Sequence, residues 1–106
     1  MTRKLLAFAL LALVFPAAAA SGDAEVGQKK SAPCAACHGA NGVSVSPAFP
    51  NLAGQYEDYI EAALRQYKNG RRKNPIMQGQ VASLTPKDMM DLAAYFASQP
   101  GLQVKH

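Results

Sequence analysis

Two cysteines stand three positions apart with a histidine directly after the second, as Cys34-Ala35-Ala36-Cys37-His38. The chain of 106 residues has no other cysteine, so this pair decides which covalent device can hold it together. A disulfide across two intervening residues closes a loop too short to remove much entropy from the unfolded chain. It would be a poor staple, and the pair needs another explanation. On one helical turn both thiols can reach a single ligand, and the next residue adds an imidazole beside it. That is the C-x-x-C-H pattern of c-type haem attachment, with the thiols on the two vinyl groups and the imidazole under the iron. His38 must be neutral to ligate, and its other ring nitrogen then needs a hydrogen-bond acceptor to fix the ring.

Two other chemistries use closely spaced cysteines. A zinc site wants about four ligands, and the only other histidine is His106 at the far end. A thioredoxin-like dithiol wants a βαβ setting, and the chain has no convincing strand pattern. A haem-free thiol–disulfide protein therefore stands as a rival to haem c without local support.

The N-terminus bears on the compartment. Arg3 and Lys4 precede an apolar run over residues 5–15, Pro16 breaks it, and four alanines follow at 17–20. This is the three-part pattern of a secretory signal peptide, with cleavage expected between Ala20 and Ser21. The run is shorter than the roughly 17–25 residues of a spanning helix, which disfavours a retained anchor. The expected division is a signal peptide at 1–20 and one domain at 21–106. Loss of Arg3 and Lys4 lowers the formal charge of +4 by two, which leaves no basic stripe of the kind nucleic acid requires.

The rest reads as three helices joined by long loops. The first covers residues 23–32, with Ser21 or Asp23 as cap and Asp23 and Glu25 suited to the positive helix end. Residues 39–54, rich in Gly, Ser and Pro, form a loop long enough to wrap something. The middle helix carries Tyr56, Tyr59, Ile60, Ala63, Leu64 and Tyr67 at i, i+3, i+4, i+7, i+8 and i+11, one apolar stripe. Asn69-Gly70 stops it. A second loop spans residues 71–84. The last helix opens on Thr85-Pro86-Lys87-Asp88, an N-cap, a first-turn proline and a capping box. Met89, Leu92, Ala93 and Phe96 form its buried face, with Tyr95 beside it. These helices hold few large apolar residues, and so small a domain generally needs a metal, a disulfide or a cofactor.

Four blocks in order now carry a family resemblance: Cys34 to Gly39, Phe49-Pro50-Asn51-Leu52-Ala53-Gly54-Gln55, Asn74-Pro75-Ile76-Met77, and Leu92-Ala93-Ala94-Tyr95-Phe96. Over nearly all of residues 22–98 the chain resembles the class I cytochromes c, and in detail one half of the periplasmic di-haem cytochromes c. It departs from the di-haem pattern in having one C-x-x-C-H. The resemblance implies an all-α cytochrome c fold, three main helices and long loops wrapped around one covalent haem c with its iron. It implies a second axial ligand from the loop before the last helix, which Met77 fits. Met89 and Met90 are rivals, but methionines at helical spacing more often fill a core. It implies that the Pro50 carbonyl accepts the His38 proton, against the plain reading of a turn proline. It also implies that Gly27 lets the first and last helices cross closely against Tyr95 and Leu92. An ordinary helix glycine would cost about 1 kcal/mol relative to alanine.

The function so implied is single-electron transfer in a bacterial periplasmic respiratory or related redox chain, with no bond-making on a substrate. Iron held by His38 and Met77 has no open position. The rival is a haem enzyme or gas sensor in which Met77 is labile. Electrons are expected to cross a haem edge near Cys34 and Cys37 through small, brief contacts with redox protein partners, donor and acceptor, membrane oxidoreductase complexes among them. A monomer that does not span the membrane after signal cleavage is expected. Lys68, Arg71, Arg72 and Lys73 could steer an acidic partner or offset the haem propionates, and an ordinary solvated loop explains them equally well.

Overall fold

The computed structural model describes residues 22–101. The segment read as a signal peptide and His106 lie outside the described residues. Within them are five helices and no strand: α1 (Ala24–Lys30), α2 (Ala32–His38), α3 (Glu57–Lys68), α4 (Pro75–Val81) and α5 (Pro86–Ala97). None is long and apolar enough to cross a membrane.

The helix expected at 23–32 ends at Lys30, and a second short helix follows from Ala32. Asp23 caps α1, its Oδ1 accepting from the backbone N–H of Glu25 and Val26. The helix ends at Lys30 because Pro33 lacks an N–H and its ring would clash with the carbonyl four residues back. Ser31 makes the bend, its hydroxyl donating to the Gln28 carbonyl at 2.7 Å. Pro33 then sits in the first turn of α2, where the missing N–H costs nothing. The cysteines and His38 thus ride on a helix of their own.

The second correction concerns the loop expected at residues 71–84. Its centre is α4, begun by Asn74, whose side chain accepts from the N–H groups of Ile76 and Met77, with Pro75 at the first position. Met77 therefore projects from a helical first turn rather than from open loop.

The core lies where α5 meets α1 and α3. Leu92, Ala93, Tyr95 and Phe96 are buried there with Ile60 of α3. α5 starts with the expected capping box: Thr85 Oγ1 accepts from Asp88 N–H at 3.1 Å, and Asp88 Oδ2 from Thr85 N–H at 2.9 Å. α1 lies directly on the α5 backbone. A Cβ on Gly27 would fall 1.9 Å from the Asp91 carbonyl oxygen and 2.9 Å from Tyr95 Cβ. The tightest contacts are thus with the backbone at Asp91 and with Tyr95.

Residues 39–56 wrap from α2 back to α3. Gly39 opens the turn at φ 82°, where an added Cβ would meet the Val43 carbonyl oxygen at 2.0 Å. The Gly42 carbonyl receives the N–H of both Leu52 and Ala53, and Gly54 N–H reaches the Phe96 carbonyl. The Tyr95 hydroxyl donates to the Ala40 carbonyl at 2.7 Å. These bonds hold the loop against the end of α5 and place Pro50 opposite α2.

Candidate functional site

The cysteine–histidine turn, the wrapping loop, the inner face of α3 and the start of α4 enclose a mainly apolar cavity of about 420 Å³. That is within the range of small-molecule and cofactor sites. Cys34, Cys37 and His38 form one side of it, Phe49 and Pro50 another, and Met77 reaches it from α4. All five residues singled out from sequence (Cys34, Cys37, His38, Pro50 and Met77) line this one cavity. Met89 and Met90 do not: Met89 is only 3 % exposed, within α5.

His38 is buried, and its Nδ1 lies 2.8 Å from the Pro50 carbonyl oxygen. A carbonyl can only accept, so Nδ1 carries the proton and Nε2 keeps its lone pair. The ring is thereby oriented as a neutral ligand whose second nitrogen is already satisfied. Phe49 packs edge-on to the imidazole at 6.4 Å between centroids. Cys34 and Cys37 are free, half-buried thiols. Burial pushes the Cys34 thiol up, opposite to the lowered values of thiol–disulfide catalysts. Among the described residues no cluster of three or more His, Cys, Asp or Glu gathers as a zinc site would need.

The stripe on α3 is the opposite wall. Ile60 is buried, and Ala63, Leu64 and Tyr67 line the cavity beside it. Tyr59 also lines it but is 50 % exposed, because it stands at the rim. Tyr56, expected to share the core, is 46 % exposed just before the helix begins.

Sequence reasoning missed Asp91 altogether. Its side chain is fully buried, accepting from Asp23 N–H at 2.8 Å, Lys30 Nζ at 2.8 Å and Lys87 Nζ at 2.9 Å. The Asp23 backbone, then the two lysines, hold its carboxyl far below the usual range. It also left Arg72 undivided from its basic neighbours, although Arg72 alone among the four lines the cavity.

The cavity fits a haem on its own features: an apolar slot, two thiols three residues apart, an oriented imidazole, and a thioether on another element. Residues 24–100 match the family model for cytochrome c. The chain is 48% identical to cytochrome c4 of Pseudomonas aeruginosa, over 91% of this chain and 48% of that one. It is 39% identical to cytochrome c-554(548) of Halomonas halodenitrificans, over 74% of this chain and 99% of that one. The crystal structure of reduced recombinant cytochrome c4 from Pseudomonas stutzeri superposes with a TM-score of 0.74 at 45% identity, over 77% of this chain and 48% of that one. The chain thus spans about half the length of the cytochromes c4 it matches.

Proposed function

This chain belongs to the cytochrome c family, and from that premise we propose that it is a single-electron carrier with one six-coordinate haem c. Cys34 and Cys37 would hold the haem covalently, and His38 and Met77 would ligate its iron. The observation that carries this reading is the 2.8 Å bond from His38 Nδ1 to the Pro50 carbonyl, which leaves Nε2 as the nitrogen for a metal, on a residue that lines the same cavity as both cysteines. Bound haem c supplies a one-electron Fe(III)/Fe(II) couple.

The chain's own residues set the conditions for that couple. Pro50 fixes the imidazole plane and raises its basicity through the hydrogen bond. The Met77 thioether is a soft ligand that favours the ferrous state and raises the potential. Ile60, Leu64 and Leu92 keep water from the cavity wall, which disfavours the extra positive charge of ferric iron. With His38 and Met77 both on the iron no position would be left for a substrate, which makes the reading that of a carrier and not an enzyme. Its partners are a donor and an acceptor redox protein in a bacterial periplasmic chain, reached after export and removal of residues 1–20 from the 21–106 domain.

The test is a denaturing gel of the mature protein stained for haem peroxidase, followed by spectra of both redox states. A stained band with low-spin spectra and no rapid carbon monoxide binding is expected. An unstained band refutes haem attachment. A stained band that is high-spin when oxidised, or that binds carbon monoxide quickly when reduced, refutes the closed site and favours the gas-sensor or haem-enzyme reading.

A further inference from the structure

The helix that carries Met77 is fastened at its two ends by different means. α4 is seven residues long, too short to persist on propensity alone. Gly79, near its middle, lowers that propensity further. At the far end Val81 is buried. At the near end Asn74, Pro75 and Ile76 are all exposed. Between them the helix is open, since an added Cβ on Gly79 would meet nothing within 4 Å. Met77 is half-buried and stands in the first turn, four residues before Val81 and on the same face. Packing therefore anchors the end of α4 and not the turn that aims the thioether into the cavity.

That turn is held by Asn74. Its Oδ1 accepts from the N–H of Ile76 at 3.0 Å and from the N–H of Met77 itself at 3.2 Å. Its backbone carbonyl accepts from Gln78 N–H at 2.8 Å, the first bond of the helical ladder. Pro75 presets its own φ but brings no hydrogen-bonding side chain to the turn. Both first-turn amides thus end on one side-chain oxygen, and one of them belongs to the thioether-bearing residue. Asn74 also lines the cavity, so its capping has to be told apart from its bulk.

We propose that Asn74 is the positioning residue for Met77: its two bonds to the first turn of α4 keep the thioether in the cavity, and their loss lets that turn open and Met77 leave the iron. The proposal deepens the haem reading above and rests on it. Local opening of a weakly packed turn is an equilibrium of its own. The open form lacks the Asn74 bonds, so removing them from the closed form raises the open fraction. Replacing a capping asparagine by alanine shifts such an equilibrium by about fivefold. Two plain alternatives are that Asn74 adds only to overall stability, or that it only fills the cavity wall.

Asn74→Ala, Asn74→Ser and Asn74→Asp separate these, each made in the full chain, exported and loaded with haem. Two readouts follow the opening: the rate of carbon monoxide binding to the reduced protein, which requires Met77 to be off the iron, and hydrogen exchange of the Ile76 and Met77 amides by NMR. Asn74→Ala is expected to raise both about fivefold while keeping the methionine–iron absorption, since the open form stays a minority. Serine and aspartate cap as well as asparagine, so their rates should stay within about twofold of wild type. Serine is as small at the wall as it is competent as a cap, so a rate for Asn74→Ser as high as for Asn74→Ala overturns the proposal in favour of wall filling. A lowered Tm in Asn74→Ala with wild-type rates overturns it in favour of overall stability. If Asn74→Ala does not accumulate, the weaker cap of Asn74→Thr decides: a rate raised about twofold supports the proposal, and an unchanged rate overturns it. A wild-type protein without the methionine–iron absorption, or a Met77→Ala protein that keeps it, refutes the ligand reading itself and the proposal with it, and the spectra identify that case before any rate is measured.

Discussion

Replacing Asp91 by asparagine removes one charge and almost no volume. The carboxylate is fully buried and receives three donors, Asp23 N–H, Lys30 Nζ and Lys87 Nζ. It ties the cap of α1 to α5 where the helices touch backbone to backbone. An amide there can keep its oxygen toward Asp23 N–H and turn its own donor onto two ammonium groups, or make the reverse loss. Breaking a buried pair by removing one partner costs about 3–5 kcal/mol, and a single hydrogen bond to a charged group about 1.5–3 kcal/mol. The Lys87 side chain is 71 % exposed and can turn to water, so the expected loss is about 2–3 kcal/mol, toward the lower range. For a domain of this size that lowers Tm by roughly 8–24 °C. Thermal and denaturant unfolding of the haem-loaded protein, followed by far-UV circular dichroism at pH 7, measures it. A loss under about 0.5 kcal/mol, the scatter of neutral surface changes, refutes the account.

The pH dependence gives a second check on the same residue. Asp91 is held far below the ordinary value by Asp23 N–H and the lysines, and Asp88 is lowered to about 2 by Lys30 and the Thr85 backbone. Groups depressed in the folded state contribute fully above their unfolded values, about 4 for Asp, and lose that contribution as pH falls through the folded ones. The gap between wild type and Asp91→Asn should therefore narrow steadily from about pH 4 downward. A constant offset across that window contradicts the assignment.

Met77→Ala should retain covalent haem, lose the methionine–iron absorption and lower the potential; an unchanged potential moves the ligand elsewhere. Met89→Ala should keep both signals and lose about 2–5 kcal/mol of stability as a buried core truncation, so the pair of variants separates ligand from filler. Gly27→Ala drives a Cβ to 1.9 Å from the Asp91 carbonyl oxygen, and unfolding curves should show a loss of at least about 1–3 kcal/mol as the helices part. The chain with Cys34 and Cys37 both changed to alanine, and so without covalent haem, should show no cooperative thermal transition by circular dichroism, because much of the α3 stripe, including Ala63, Leu64 and Tyr67, lines the cofactor cavity.

Local signals are legible in the sequence alone. Thr85, Pro86 and Asp88 announced the start of α5, and the spacing from Tyr59 to Tyr67 announced α3, because each depends only on neighbours along the chain. The same kind of start, Asn74-Pro75, stands at α4, yet seven residues containing Gly79 are too few to show a repeating apolar stripe. The break at Ser31 is equally local, and Pro33 is its signal in the sequence.

From residues in order one could determine the thiol–thiol–imidazole unit, the all-α class and the thin core, since these follow from spacing and composition. Tertiary structure alone decided the rest. Asp91 is buried by groups 61 and 68 positions away, and Arg72 is turned inward by Tyr59, 13 positions before it. A side chain's charge is written in the sequence, but its solvation and its partner are properties of the space the folded chain leaves around it.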